Sequence, residues 1–124
     1  MFTLHARLLA YGAAIWLVAT IALRFVGQRL LPPGNWLGIV ILFAASFALV
    51  AWLVRRLCKR FGLPREQWPA GAISLLLATL LLDPFSSAFF ASVFPNIAPE
   101  AAGPFGGWMI VCCAGGLVGA IARR

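Results

Sequence analysis

The chain contains four long apolar segments that are separated by short polar or turn-forming stretches. They cover about residues 7–27, 37–57, 69–94 and 104–122, and each approaches the roughly 20 residues that a helix needs to cross a bilayer's hydrocarbon. Because backbone exposed to lipid must satisfy its own hydrogen bonds, each segment is predicted to be an α-helix. The pattern predicts an all-α, transmembrane four-helix bundle that forms a single transmembrane domain over residues 1–124.

The composition indicates an integral membrane protein. Hydrophobic residues make up 63% of the 124 residues and charged residues 10%, which is more apolar surface than one soluble domain of this size can bury. The first segment follows Arg7, as the core of a secretory signal would, but it is long enough to span a bilayer and contains Arg24. We therefore expect it to be retained as the first transmembrane helix.

Basic residues predict the orientation of the bundle, because Lys and Arg accumulate in short cytoplasmic loops. Arg7, the loop at 55–65 and the pair Arg123 and Arg124 would lie on one side of the membrane, whereas Arg29 would lie on the other. Both termini are therefore expected to be cytoplasmic.

Tryptophans support these span boundaries, since an indole favours the membrane interface. Four of them fall at predicted span ends: Trp36, Trp52, Trp68 and Trp108. Only Trp16 lies at mid-span.

The net charge of +7 raises the question of nucleic acid binding, for which the run RRLCKR at 55–60 is the best support. The orientation rule explains this run without such a partner, and a loop of about a dozen residues is too short to hold a nucleic-acid-binding fold. We expect instead that the basic loop at 55–65 attracts anionic lipid headgroups. No nucleic acid partner is expected.

Residue types that carry enzymatic or metal chemistry are sparse. His5 is the only histidine, and no carboxylate lies near it in sequence. Cys112 and Cys113 are neighbours that point about 100 degrees apart on a helix, so they are poorly placed to bridge each other or to share a metal, and Cys58 is remote in sequence. No phosphate-binding loop or catalytic triad pattern is present. We expect no catalytic, cofactor-binding or metal site, and the protein is not expected to be an enzyme.

Two charged residues, Arg24 and Asp83, are predicted to lie inside the membrane, where an ionisable side chain normally faces a partner or a polar cavity. A helical rise of about 1.5 Å per residue places them at similar depths. Residues three or four apart share a helix face, so each charge belongs to a polar stripe. The first-helix stripe is Thr20, Arg24 and Gln28, and the third-helix stripe is Thr79, Asp83, Ser86 and Ser87. We expect the stripes to face each other, with Arg24 and Asp83 paired or sharing a polar cavity.

Three roles remain open for the two charges. A buried ion pair can fix which helix faces which, and this structural role is the leading interpretation. The pair could instead serve a transport or ligand site, or Arg24 could extend to the outer headgroups without meeting Asp83.

Pro84 follows Asp83 within the third segment, and a proline removes one backbone donor and clashes with the carbonyl four residues earlier. The third helix is therefore predicted to be kinked or broken at Asp83-Pro84. A break would make Asp83 the N-cap of a second half-helix. Another alternative ends the span near Asp83 and lays FSSAFFASVF at 85–94 on the outer surface, with its phenylalanines toward lipid.

The fourth segment carries a helix-packing pattern. Gly115 and Gly119 form one small-xxx-small pair, and Gly116 and Ala120 form another. Such surfaces let helices approach closely. The pattern predicts a close contact either inside the bundle or in a homodimer.

Four stretches spread along the chain resemble a family of small bacterial four-span membrane proteins that is known only as a domain of unknown function. They are LRFVGQRLL at 23–31, LLLDPF at 80–85, VFPN at 93–96 and FGGWM at 105–109. The resemblance implies a multi-pass protein of the bacterial inner membrane and brings no activity or substrate with it.

The sequence thus favours a small structural, accessory or assembly component of the inner membrane. The alternative is a small transporter or channel that uses Arg24 and Asp83.

Overall fold

The computed structural model describes residues 2–31 and 34–121, with side chains described from residue 6 onward. Within these residues, five α-helices follow one another: α1 Phe2–Leu30, α2 Trp36–Arg60, α3 Trp68–Ala88, the short α4 Phe90–Val93, and α5 Ala102–Ile121. Short 3-10 turns at Arg65–Gln67 and Pro99–Ala101 precede α3 and α5. The described residues contain no strand, so the predicted all-α class is confirmed.

In the described part of the chain, four helices are long and apolar enough to cross a membrane, as the sequence predicts. These candidate spans are Ala6–Leu30, Trp36–Arg60, Arg65–Ala88 and Pro99–Ile121. The third differs most from its predicted range, because it ends six residues before position 94. Residue 122, at the end of the fourth predicted span, lies outside the described residues, as do Arg123 and Arg124.

The third span remains one helix through Asp83 and Pro84. Helical geometry continues to Ala88, and the chain leaves it at Phe89, with φ −110° and ψ 39°. Asp83 therefore does not start a second half-helix. Since Pro84 has no N–H, the Leu80 carbonyl lacks its usual helical donor.

After Ala88 the chain turns so that two phenylalanine rings pack against the bundle, whereas Phe85 and Phe89 remain exposed. Phe90 and Phe94 are buried, and their ring centroids lie 5.3 and 5.0 Å from that of Phe105. The expectation of a lipid-facing segment is therefore wrong for these two rings, because Phe105 offers them a packed partner. They belong to a cluster, here named the Phe105 cluster: Leu23, Leu31, Phe90, Phe94, Ile97, Ala101 and Phe105.

A second cluster forms where α2 turns into α3. Gly62, with φ 70°, supplies the left-handed conformation of this turn that side-chain-bearing residues rarely adopt. The Trp68 indole N–H donates to the Leu63 carbonyl at 3.0 Å. This is the Trp68 cluster: Leu8, Val54, Cys58, Leu63, Trp68, Ala72, Leu75 and Ala120. It includes the first turns of α1, whereas the Phe105 cluster includes the last, so the two clusters close opposite ends of the bundle.

Close helix packing depends on glycine at two contacts. Gly12 places α1 against the Leu75 backbone of α3, and Gly119 places α5 against the Ala51 backbone of α2. Gly115 similarly meets the Phe47 backbone of α2. The packing pattern of the fourth segment therefore serves contacts inside the bundle, where Gly116 and Ala120 are also buried.

The helices pack in the order α1, α3, α5, α2. Contacts are extensive between α1 and α3, between α3 and α5, and between α5 and α2, whereas α1 and α2 barely touch. This leaves a gap between α1 and α2 in the middle of the bundle.

Candidate functional site

The gap between α1 and α2 forms a groove, and α3 and α5 form its floor. Its volume is about 370 Å³, and most of its lining side chains are aliphatic or aromatic. The Trp68 and Phe105 clusters close the bundle beyond its two ends. Because α1 and α2 barely touch, the groove is open on its side, toward the lipid that would surround four spanning helices.

Asp83 is the only charged residue among the described residues that line the groove. It lies on α3 and is 7% exposed. The Trp16 indole N–H of α1 donates to Asp83 Oδ1 at 2.8 Å. Oδ2 is buried and has no hydrogen-bond partner in the described part of the chain. The carboxyl group is therefore only half satisfied.

This half-satisfied group is energetically unfavourable. A buried polar atom without a hydrogen bond costs roughly 1–3 kcal/mol, and more if it is charged. An ionised carboxylate in apolar surroundings takes up a proton or acquires a partner. Asp83 is therefore a place where a proton or a ligand atom would find an unmet acceptor.

The groove wall also contains other polar groups. Thr20 of α1 and Thr79 of α3 are part of the lining. The Trp108 indole N–H is already engaged, since it donates to Ser46 Oγ at 2.7 Å.

A second cavity adjoins Asp83 between α3 and α5. It has a volume of about 240 Å³, and Leu80, Pro84 and Ser87 form part of its wall. Asp83 and Thr79 line both cavities. Asp83 thus lies in the wall between the open groove and the second cavity.

The structure does not pair Arg24 with Asp83. Arg24 is exposed, and no ion pair joins it to Asp83 among the described residues. The buried face of α1 instead includes Leu8, Gly12 and Leu23, because small and apolar side chains let the helix pack closely on α3. Arg24 lies off this face. Its predicted pairing with Asp83 is therefore wrong, and Trp16 is the α1 residue that contacts Asp83.

The remaining stripe residues separate into different surroundings. Gln28 accepts a hydrogen bond from the Asn96 side chain, whose Nδ2 also donates to the Leu23 carbonyl at 3.0 Å. Ser86 is buried, whereas Ser87 lies beside Gly106 of α5. Only Thr20, Thr79 and Asp83 of the two predicted stripes meet in the groove.

Basic side chains gather where α2 turns into α3. The guanidinium carbons of Arg55 and Arg65 lie 5.6 and 4.6 Å from the Trp68 ring centroid. Arg55 Nη1 also donates to the Gly119 carbonyl at 3.2 Å. The indole and the end of α5 therefore hold two charges of the predicted lipid-binding loop in place.

Potential metal ligands and thiols are few in the described part of the chain. No group of three or more His, Cys, Asp or Glu residues there could hold a metal ion. Cys58, Cys112 and Cys113 are free thiols, with Cys112 in the groove wall.

Trp16 was not identified as a site residue from the sequence. Its position could have indicated a role, because it is the single tryptophan at mid-span, away from the interface that indoles favour. A buried indole usually finds an acceptor for its N–H, and Asp83 is the acidic acceptor predicted within the membrane.

Comparison with protein families places the chain. Residues 30–124 match a family of unknown function, DUF5367. This chain belongs to that family. The resemblance seen in the sequence to an unknown-function family is confirmed, and in this DUF5367 protein the match includes Asp83 and the groove surfaces of α2, α3 and α5. Nearly all of α1, with Trp16, precedes the matched region. Comparisons with curated proteins and with solved structures returned no match.

Mutant stabilities distinguish Trp16 from Arg24 as the partner of Asp83. Trp16→Phe removes the indole donor together with part of the ring system and leaves both carboxyl oxygens without a partner, so we expect it to lower the free energy of unfolding by roughly 1–3 kcal/mol. Arg24→Gln changes an exposed residue, and its effect should stay within about 0.5 kcal/mol. Denaturant unfolding of both variants in mild detergent measures this difference. A contrary result would be a large loss of unfolding free energy in Arg24→Gln that is recovered when Arg24 and Asp83 are exchanged. The ion pair would then be the correct interpretation.

Proposed function

We propose that this DUF5367 protein is a small binding or transport protein of the bacterial inner membrane that takes a small hydrophobic molecule with a polar group into its groove from the lipid. The observation that carries the proposal is the half-satisfied Asp83 carboxyl group in the wall of an apolar cavity of about 370 Å³. This volume falls in the range of roughly 300–1,000 Å³ that is typical of small-molecule sites. This proposal keeps the transporter alternative, but Trp16 takes the place of Arg24 beside Asp83.

A structural or accessory role is the second candidate. The Trp16–Asp83 hydrogen bond joins α1 to α3, and a buried polar contact of this kind can fix helix register. It leaves Oδ2 unused and does not account for the groove, so we rank it below ligand binding.

The proposal includes an orientation and partners. Both termini are cytoplasmic, and the lipid bilayer surrounds the four spans. Arg55 and Arg65, held against Trp68, attract anionic lipid headgroups on that side. A homodimer is not required, because Gly115 and Gly119 already pack against α2. Neither an enzymatic activity nor a nucleic acid partner is part of the proposal.

Blocking the groove tests this function. Ala19 lines the groove, whereas Ala14 is exposed elsewhere on α1. The probe is N-phenyl-1-naphthylamine, a neutral fluorophore that brightens in apolar sites, titrated at constant detergent. We expect Ala19→Trp to abolish a saturable signal above the micelle background, because its indole occupies the groove. Ala14→Trp is the matched control and should keep the wild-type signal.

If wild type and both variants give only the micelle background, the groove is not a binding site. The structural role would then be the better explanation of Asp83.

A further inference from the structure

The groove has an unbalanced electrostatic character. Asp83 contributes its only charge, and the described lining residues include no Lys or Arg. Arg24, although on α1, is exposed and is not part of the lining. An anionic ligand would therefore meet a carboxyl group without any compensating cation, whereas a cationic ligand would find a counter-ion.

The aromatic content of the groove suits the same kind of ligand. Trp16, Phe105 and Trp108 are among the lining residues, and aromatic faces attract organic cations through their quadrupole. Trp16 is hydrogen-bonded to Asp83, so an aromatic ring and the carboxyl group are side by side.

A bound metal ion fits the groove poorly. Hard cations such as Ca²⁺ require six or more oxygen ligands, and no cluster of potential ligands occurs in the described chain. The predominantly apolar wall would instead cover the carbon skeleton of an organic molecule.

We infer that the ligand is a hydrophobic organic monocation, such as an aryl-substituted ammonium, which enters between α1 and α2 and places its charge against Asp83. This inference rests on the proposed function and adds the chemical class of the ligand. One carboxylate neutralises one positive charge, and Oδ2, which no protein donor contacts in the described chain, is the oxygen that the cation can approach. A phospholipid headgroup fits less well, because its phosphate would enter a groove without a basic lining residue.

The experiment compares two probes of nearly the same shape and different charge. Benzyltrimethylammonium carries a quaternary nitrogen, and neopentylbenzene has carbon at that position. Each is titrated against protein loaded with N-phenyl-1-naphthylamine in non-ionic detergent, and its affinity is read from displacement of the fluorophore.

Asp83→Asn is the informative variant, because it removes the charge and keeps an oxygen that can accept from Trp16. We expect it to weaken benzyltrimethylammonium binding at least tenfold and to change neopentylbenzene binding less than twofold. Glu100→Gln removes an exposed carboxylate outside the groove lining. As the matched control, it should bind both probes as wild type does.

A second comparison needs no variant and holds even if Asp83→Asn fails to fold. Phenylmethanesulfonate has a size similar to that of benzyltrimethylammonium and the opposite charge. In the wild-type protein, we expect the cation to displace the fluorophore and the anion to leave it bound at a tenfold higher concentration.

The outcomes separate the ligand class from the proposed function. If the fluorophore binds in the groove but cation and anion displace it equally, or Asp83→Asn binds the cation as wild type does, the monocation assignment is wrong and groove binding stands. If the fluorophore shows no saturable site in wild type, both proposals are overturned.

Discussion

Gly12→Leu is expected to separate α1 from α3 and to lower the free energy of unfolding by about 3 kcal/mol or more, at or beyond the upper end for overpacking substitutions. A side chain at position 12 would overlap the carbonyl oxygen of Leu75. Backbone atoms of a neighbouring helix cannot rotate away as a flexible side chain can, so α1 itself must move. The measurement is denaturant unfolding in detergent, followed by far-ultraviolet circular dichroism.

The same substitution should also remove ligand binding, because α1 forms one wall of the groove. Ala14→Leu is the matched control, since Ala14 is exposed on α1 and does not line the groove. It should leave the free energy of unfolding within about 0.5 kcal/mol of wild type. Equal stability of Gly12→Leu and Ala14→Leu would show that α1 does not dock through Gly12.

The second large effect is expected for Gly119→Leu on α5. A Cβ atom at this position would lie 2.5 Å from the Ala51 carbonyl oxygen and 2.7 Å from the Ala51 Cα of α2. The substitution would force α2 and α5 apart along their most extensive contact and disturb the Gly119 carbonyl that accepts from Arg55. We expect a loss of about 3 kcal/mol or more in the free energy of unfolding.

Gly103→Leu is the control for this effect, because a Cβ at this position would lie within 4 Å of no described atom outside its chain neighbours and its own helix backbone. Light scattering of the detergent-solubilised variants distinguishes the internal contact from a homodimer contact. If Gly119→Leu kept full stability and only converted a dimer to a monomer, its glycine surface would serve association between chains.

The sequence predicted the elements well because lipid imposes strict conditions on them. A spanning segment must be apolar over about 20 residues and must satisfy its own backbone hydrogen bonds. The number, order and approximate limits of the four long helices therefore follow from the segments alone. The end of α3 was predicted too late, because residues beyond Ala88 are equally apolar and leave the helix to bury Phe90 and Phe94 against Phe105.

The candidate site was only partly predictable. Asp83 could be identified because a carboxylate is unfavourable inside an apolar span and usually has a role there. The partner of Asp83 could not be identified in this way. Sequence spacing gives the depth of a residue along its helix, but it does not give the rotation of either helix about its axis. Arg24 and Trp16 lie on the same helix, and the rotation at which α1 docks on α3, with Gly12 against Leu75, turns Trp16 toward Asp83.

The sequence alone is enough to predict a four-span all-α protein with an acid, Asp83, deep inside its third span. Only the tertiary structure decided that Trp16 meets this acid, that Gly115 and Gly119 serve α2, and that a groove opens between α1 and α2. The physical reason is that several faces of each helix are apolar and equally acceptable to lipid. Helix rotation is then set by close packing between helices, which depends on backbone approach at a few small residues.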